Sequence, residues 1–437
     1  MMEATYPAHE SYKPSGYDWV GDVPAHWAVE KLGTSLRAVS EKNRPDLPLL
    51  SITREKGVIE RDLDDEESNH NFIPDDLSGY KVLRAGQFGM NKMKAWQGSY
   101  GVSQHTGIVS PAYFIFDFTK EIDPAFFNRA IRSKLYVSFF GSASDGVRIG
   151  QWDLNKSRMR EIPLLVPPLP EQRAIAAFLD DKCAKIDGAV KIKEDQIALL
   201  RERRQIIIQD AVTRGLNPAA PMKDSGIDWI GQIPAHWEIR RFTKEVFVQE
   251  GPGIMAVDFH NDGVPLIRIS GAKTSVLTLE GCNYLDPAKV RRKWNHFLIE
   301  EGDLVISGSA SSGLVAEVGK EAAGSVLYTG LMRLRIRDMD LILKRFFEHF
   351  LASPSFDTQV ELLKAGSTIA HYGPSHLGKM FIIVPPIEEQ RAIVAHIDDA
   401  SQKIEDGIAI KERQIAALKE YKTSLINATV TGKIKVI

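Results

Sequence analysis

The chain has 437 residues, 43% of them hydrophobic and 26% charged, with a formal net charge of −2; this is ordinary globular composition with room for two or three domains. So balanced a chain has no bulk attraction for nucleic acid, and any DNA site must be a local basic patch. No apolar run approaches membrane-spanning length and residues 1–14 lack the apolar core of a signal peptide, so no membrane partner and a cytoplasmic location are expected. The two cysteines, Cys183 and Cys282, are about a hundred positions apart, which excludes a disulfide framework or a zinc cluster of cysteines and leaves two core thiols.

The first element is the run Ser15-Gly-Tyr-Asp-Trp-Val-Gly-Asp-Val-Pro-Ala-His-Trp27. It returns as Ser225-Gly-Ile-Asp-Trp-Ile-Gly-Gln-Ile-Pro-Ala-His-Trp237, with nine of thirteen positions identical at an offset of 210. His26-Trp27 and His236-Trp237 read as packing anchors of a duplicated frame, and no metal-ligand set is expected. Next comes a stretch free of Asp and Glu, residues 77–116, in which Lys81, Arg84, Lys92 and Lys94 alternate with Tyr80, Phe88, Trp96 and Tyr100. Basic groups offer phosphate contacts and aromatics can wedge or stack. Gln97, Ser99, Ser103, Gln104 and His105 add short polar groups suited to base edges. A basic run over 129–160 contributes Arg148 and Gln151-Trp152. The DNA-binding candidates of this first domain are Lys92, Lys94, Trp96, Gln97, Tyr100, Gln104 and Arg148.

Pro167-Pro-Leu-Pro-Glu-Gln-Arg-Ala-Ile-Ala-Ala-Phe-Leu-Asp-Asp181 opens a long helix. It matches Pro385-Pro-Ile-Glu-Glu-Gln-Arg-Ala-Ile-Val-Ala-His-Ile-Asp-Asp399 at ten of fifteen positions, with an offset of 218. Heptad spacing marks Leu179, Ile186, Val190, Ile197, Leu200 and Ile207 as an apolar seam in the first helix. The second repeats it at Ile397, Ile404, Ile408, Ile415, Leu418 and Leu425. Lys193 and Lys411 sit at matching seam sites. About forty residues of helix span roughly 60 Å, too long to bury a stripe on a small domain, so each helix is the other's simplest partner. Residues 171–212 carry eight basic and eight acidic side chains and 389–430 carry six and seven, which marks solvated rather than DNA-binding helices. Gly188 and Gly407 interrupt them at about 1 kcal/mol each.

After the linker 216–222 the second half offers Arg291, Arg292 and Lys293, Ser309 within Ser307-Gly-Ser-Ala-Ser-Ser-Gly313, and His371-Tyr372 in the slot of Gln151-Trp152. The serine-glycine run lacks the spacing of a nucleotide-binding loop. No methyltransferase motif, His-Glu-x-x-His or nucleophile constellation is present, so no catalytic residue is assigned. The expected boundaries are 1–166 and 216–384 for two recognition domains, and 167–215 and 385–437 for two helices.

The tandem signature, Trp19-Val-Gly-Asp-Val-Pro-Ala-His-Trp27 and Pro167-Pro-Leu-Pro-Glu-Gln172 with its helix, each present twice, resembles the specificity subunit of type I restriction-modification systems. The resemblance implies an α+β fold, with two mixed α/β target-recognition domains joined by an antiparallel coiled-coil spacer in an internal pseudo-twofold repeat. It implies a non-catalytic subunit that binds double-stranded DNA, each domain reading half of a split asymmetric site. It also implies two modification subunits that use S-adenosylmethionine, restriction subunits that use ATP and Mg2+, and modification-subunit contacts at the helices and around Trp19 and Trp229. A coiled-coil scaffold indifferent to DNA is the alternative, and it leaves the acid-free stretch unexplained. A fused modification-cleavage enzyme is opposed by the missing motifs.

Overall fold

The computed structural model describes residues 6–62, 74, 76–148, 151–308, 315–364 and 372–437. They form two units, residues 1–194 with 412–437 and residues 195–411. Each unit holds one recognition domain, part of the long helix Leu169–Arg214 and part of the long helix Ile387–Val430.

In the first unit the leading motif folds as two short antiparallel strands, Tyr12–Pro14 and Asp22–Pro24. Its turn needs glycine at Gly16 and Gly21, whose φ angles are 82° and 70°, a region that a Cβ disfavours. The following strand, Ala28–Lys31, pairs with Pro163–Val166. This pairing delivers the chain to Pro167-Pro168 and the helix start, and everything between the two strands is looped out as the recognition domain. Trp27 is fully buried beneath this frame. The second unit repeats the construction with Met222–Asp224 on Gln232–Pro234 and Glu238–Arg241 on Phe381–Val384, over an equally buried Trp237.

The two tryptophans are the anchors that the sequence suggests; the histidines beside them are not. The side chains of His26 and His236 are each 48% exposed and bond the first helical turns, His26 to Glu171 at 2.8 Å and His236 to Glu389 at 2.6 Å. The next residue of each Glu-Gln pair fastens the domain to the helix. Buried Gln172 accepts from Asp123 N and donates to Pro167 O, both at 2.8 Å. Buried Gln390 accepts from Leu343 N at 2.9 Å and donates to Leu341 O and Pro385 O. An unmet buried amide costs about 1–3 kcal/mol, so Gln at this site is a fastener for backbone that no strand or helix satisfies.

The looped-out domains share a sheet order although their sequences diverge. In the first, the antiparallel order is Leu36–Val39, Phe114–Phe118, Phe88–Met90, Tyr100–Val102. In the second it is Val246–Glu250, Leu331–Ile336, Leu304–Ser307, Val315–Glu317. Two helices follow each sheet, Pro124–Ile131 and Lys134–Ser142 in the first and Lys344–Leu351 and Pro354–Lys364 in the second. The domains differ in what is added. The first carries the hairpin Ser144–Arg148 with Gln151–Leu154. The second carries a three-stranded sheet, Asn283–Leu285, Val264–Ile267, Val326–Leu327, with one parallel pairing.

Within each unit the long helices run antiparallel. In the first, Asp187 accepts from Lys422 at 2.7 Å and Glu194 lies 3.9 Å from Lys419. In the second, Arg204 meets Glu405 at 3.3 Å. Leu179, Ile186, Val190 and Ile197 are buried as expected, as are Ile397, Ile404 and Leu425. Leu200, Ile207, Ile408, Ile415 and Leu418 are only half-buried. The seam at Ile207 needs correction: Ile208 is buried in its place. The two tails, Asp210-Ala-Val-Thr-Arg-Gly215 and Asn427-Ala-Thr-Val-Thr-Gly432, are offset by 217 rather than 218, so Ile208 is the partner position of Leu425. Each tail ends on a left-handed glycine, φ 72° at both Gly215 and Gly432, that lies against the tryptophan of its own unit, Trp237 and Trp27 respectively. Of the cysteines, Cys183 is buried but Cys282 is only half-buried, so the second is not a core thiol. No helix among the described residues is long and apolar enough to cross a membrane.

Candidate nucleic-acid interface

In the first domain, Lys81 stands at the start of the strand Lys81–Leu83 and donates to Tyr113 O at 2.7 Å. Burial, and then the charges of Lys42, Lys156 and Lys92, hold its ammonium below the usual lysine range. Four lysines from separate strands and connections therefore share one locality, a concentration of positive charge suited to phosphate. Lys156 lies over the Phe114 ring at 5.2 Å, and Lys92 pairs with Asp153 at 3.1 Å.

Beside Lys92 the hairpin Ser144–Arg148 with Gln151–Leu154 is tied back by Leu154 N donating to Lys92 O at 3.2 Å. It presents Trp152, 36% exposed and stacked on Trp96 with centroids 5.3 Å apart and 29° between planes. Gly146 is required opposite that ring, because a Cβ there would lie 2.1 Å from Trp152 Cδ1. An aromatic pair beside clustered lysines is the pattern that supports base or sugar contact next to phosphate contact.

The structure brings together Lys92, Lys94, Trp96 and Gln97, in the connection beyond the Met90 and Tyr100 end of their strand pair. Lys94 is exposed, and Lys92, Trp96 and Gln97 are half-buried. Gln104 is exposed but lies beyond the opposite end of that pair, past Val102. Tyr100 is a correction: it is fully buried, its ring 4.4 Å from Phe140, and burial pushes its phenol above the usual range. The acid-free stretch is thus partly core strand, with Phe88, Ser99 and Ser103 buried too. Arg148 lies on the hairpin, its side chain outside the described residues.

In the second domain Arg291, Arg292 and Lys293 are all exposed on one helical turn, Val290–Trp294. Trp294 is buried under them, with Lys289 and Lys293 each 5.4 Å from its ring centroid. Ser309 and His371 lie outside the described residues. Tyr372 is the second correction. It is 7% exposed within the main core, and its N–H donates to Gly308 O at 3.0 Å, so it is no counterpart of Trp152.

Sequence reasoning missed Lys42, which lies outside the acid-free stretch, and did not single out Lys156 within the basic run 129–160 that contains it. It also missed Glu171 and Gln172 as the residues that receive the frame, although both were plain in the repeat. Trp19, half exposed, and Ile192, Leu199 and Ile206, all exposed at seven-residue spacing on the first long helix, are apolar groups that these units leave uncovered.

Comparison with known proteins fits this architecture. Residues 237–420 match the type I restriction modification DNA specificity domain. The MjaVIII specificity subunit of Methanocaldococcus jannaschii is 26% identical over 69% of this chain and 69% of its own length. The putative MjaX specificity subunit of the same organism is 21% identical over 95% of this chain and 96% of its own. A chain from a structure of type I R-M complex assembly and conformational transition superposes with a TM-score of 0.67 at 16% identity, covering 93% of this chain and 98% of that one. The tandem frame and the repeated sheet order agree with these likenesses: the second half of the chain is similar to the type I restriction modification DNA specificity domain, and the chain as a whole shares the fold of a type I R-M structure and is similar in sequence to type I specificity subunits.

Proposed function

We propose that this chain reads DNA for a type I restriction-modification complex, each domain recognising one half of a split asymmetric site, and that it carries out no chemistry itself. The observation that carries this reading is the contrast within the repeat. Frame residues and sheet order are kept in both halves, whereas the candidate contact surfaces, the tryptophan hairpin in one and the Arg291-Arg292-Lys293 turn in the other, are different structures. Two readers of one design with different surfaces fit a target with two different halves.

On this reading double-stranded DNA lies against the clustered lysines of the first domain and the basic turn of the second. Two modification subunits dock on the exposed helix residues and around Trp19, and restriction subunits join them. S-adenosylmethionine serves on the modification subunits, and ATP with Mg2+ on the restriction subunits, all in the cytoplasm. Methylome sequencing of cells that carry the complete system tests the reading. A split, adenine-methylated motif with two different halves is expected; a continuous motif, or none, would sink it.

A further inference from the structure

The first unit contains a side-chain cluster that DNA reading does not use. His9, just ahead of the strand Tyr12–Pro14, His26 of the leading motif and Glu171 of the first helical turn each offer one ligand atom, and these atoms lie within 4.8 Å of one another. Glu171 is 5% exposed, a burial that a carboxylate accepts only when compensated. One of its oxygens is 2.8 Å from His26 Nε2 and the other 3.7 Å from His9 Nε2. The second separation is too long for a hydrogen bond. His9 is itself 9% exposed, and its Nε2 has no hydrogen-bond partner among the described residues.

The second unit supplies an internal control. There His236 holds one oxygen of Glu389 at 2.6 Å, and Trp237 Nε1 donates to the other at 3.0 Å. The position of His9 is taken by Ala219 at the 210-residue offset. In the first unit Trp27 Nε1 makes no such bond, so the free face of Glu171 is left to His9. One copy of the frame thus closes its carboxylate with an indole, and the other turns a buried, unpartnered imidazole toward it.

We propose that His9, His26 and Glu171 bind one divalent transition-metal ion of the zinc class. Two imidazole nitrogens and one carboxylate oxygen suit zinc or its neighbours and not calcium or magnesium, which take oxygen ligands. Donors about 2.1 Å from a tetrahedral ion stand about 3.4 Å apart, between the two separations here. A fourth position, for water, faces an open cleft of about 750 Å³ lined by Glu10, Ser11, Ala25 and Lys435. The Lys435 charge acts on His9 and opposes the ion; the Glu171 carboxylate offsets it. The ion is structural. Residues 7–12 are already bonded to the C-terminal tail, Lys435 N to Pro7 O at 2.8 Å and Tyr12 Oη to Gly432 O at 3.2 Å, and the ion pins this junction to the start of the long helix.

The test titrates untagged, metal-free full-length chain with Zn2+ by calorimetry and with Co2+ by visible absorption. One ion per chain is expected, with binding at least tenfold weaker in His9→Gln and in His26→Gln and unchanged in His236→Gln. His26 is half exposed, so its variant reports on binding even if the buried His9 variant folds poorly; circular dichroism checks both. No stoichiometric binding, binding unaltered in His26→Gln, or equal loss in His236→Gln would overturn the proposal.

Discussion

The frame and the recognition domains solve opposite problems with the same duplicated chain. In the frame, Trp27 and Trp237 are both fully buried, Glu171 and Glu389 bond His26 and His236, and Gln172 and Gln390 fasten domain backbone. The residues kept are those with a shared role, even though the indole of Trp237 makes a bond that the indole of Trp27 does not. In the domains the sheet order is kept but the exposed elements are not. A buried fastener tolerates little change because each lost partner costs a desolvated group, whereas a surface that reads a ligand is free to diverge. Specificity can therefore change without disturbing assembly.

The sharpest way to break that distinction is to leave out one half. Unit one closes with Leu425, Val430 and Gly432 over Trp27, and unit two with Ile208, Val212 and Gly215 over Trp237. A fragment of residues 1–220 carries Trp27 and the second of these tails, so two copies can close on each other. Sedimentation should show a dimer, and with modification subunits supplied its target should be a palindrome of the first half-site. A strictly monomeric fragment, or a dimer that recognises an asymmetric site, would contradict the equivalence of the tails.

Truncating an anchor comes next. Trp27→Ala and Trp237→Ala should each destabilise their own unit by about 3–5 kcal/mol, read by chemical denaturation. Losses that differ severalfold would mean that the two frames are not equivalent supports.

A difference in pH response should separate the domains further. At corresponding helix positions, four residues before Ser133 and Ser353, stand Arg129 and His349, bonded to Asp180 and Asp398 of the long helices. Burial, and then the charge of Arg345, pushes His349 down to about 4, against the pull of Asp398 and with a smaller push from Arg204. The folded value lies below the unfolded one of about 6.5. Its contribution is complete above that pH and is lost as pH falls toward 4, by up to about 1.4 kcal/mol per unit. His349→Gln should flatten this part of the stability profile of the second unit; an unchanged slope would show that His349 does not titrate there.

Smaller still is the contribution of individual phosphate contacts. Lys92→Ala with Lys94→Ala should lower the log-log salt slope of DNA binding by about one to two units, since each contact is worth about 0.9. An unchanged slope in a folded variant would place both lysines away from DNA.

Much of the frame was legible in the sequence because its residues recur at fixed offsets, and repetition reveals a shared environment without revealing its partners. His26 looked like packing because Glu171, which it bonds, is 145 residues away. The seam was legible until the one-residue slip between tails moved burial from Ile207 to Ile208. The sheets were not legible as a repeat, since different apolar residues fill the same strands. Nor could composition separate Tyr100 and Tyr372, which are core, from Trp152, which reaches the surface. The lysine cluster was hidden for a further reason: Lys42, Lys81, Lys92 and Lys156 meet only through tertiary packing.

Exchange of a single domain tests the central claim most directly. Residues 35–160 are replaced by the corresponding segment of another specificity subunit whose target differs, and the methylated motif is mapped. Separate readers on a common frame predict that one half of the motif changes while the other half is retained. Loss or change of both halves in a folded, assembled complex would contradict the account.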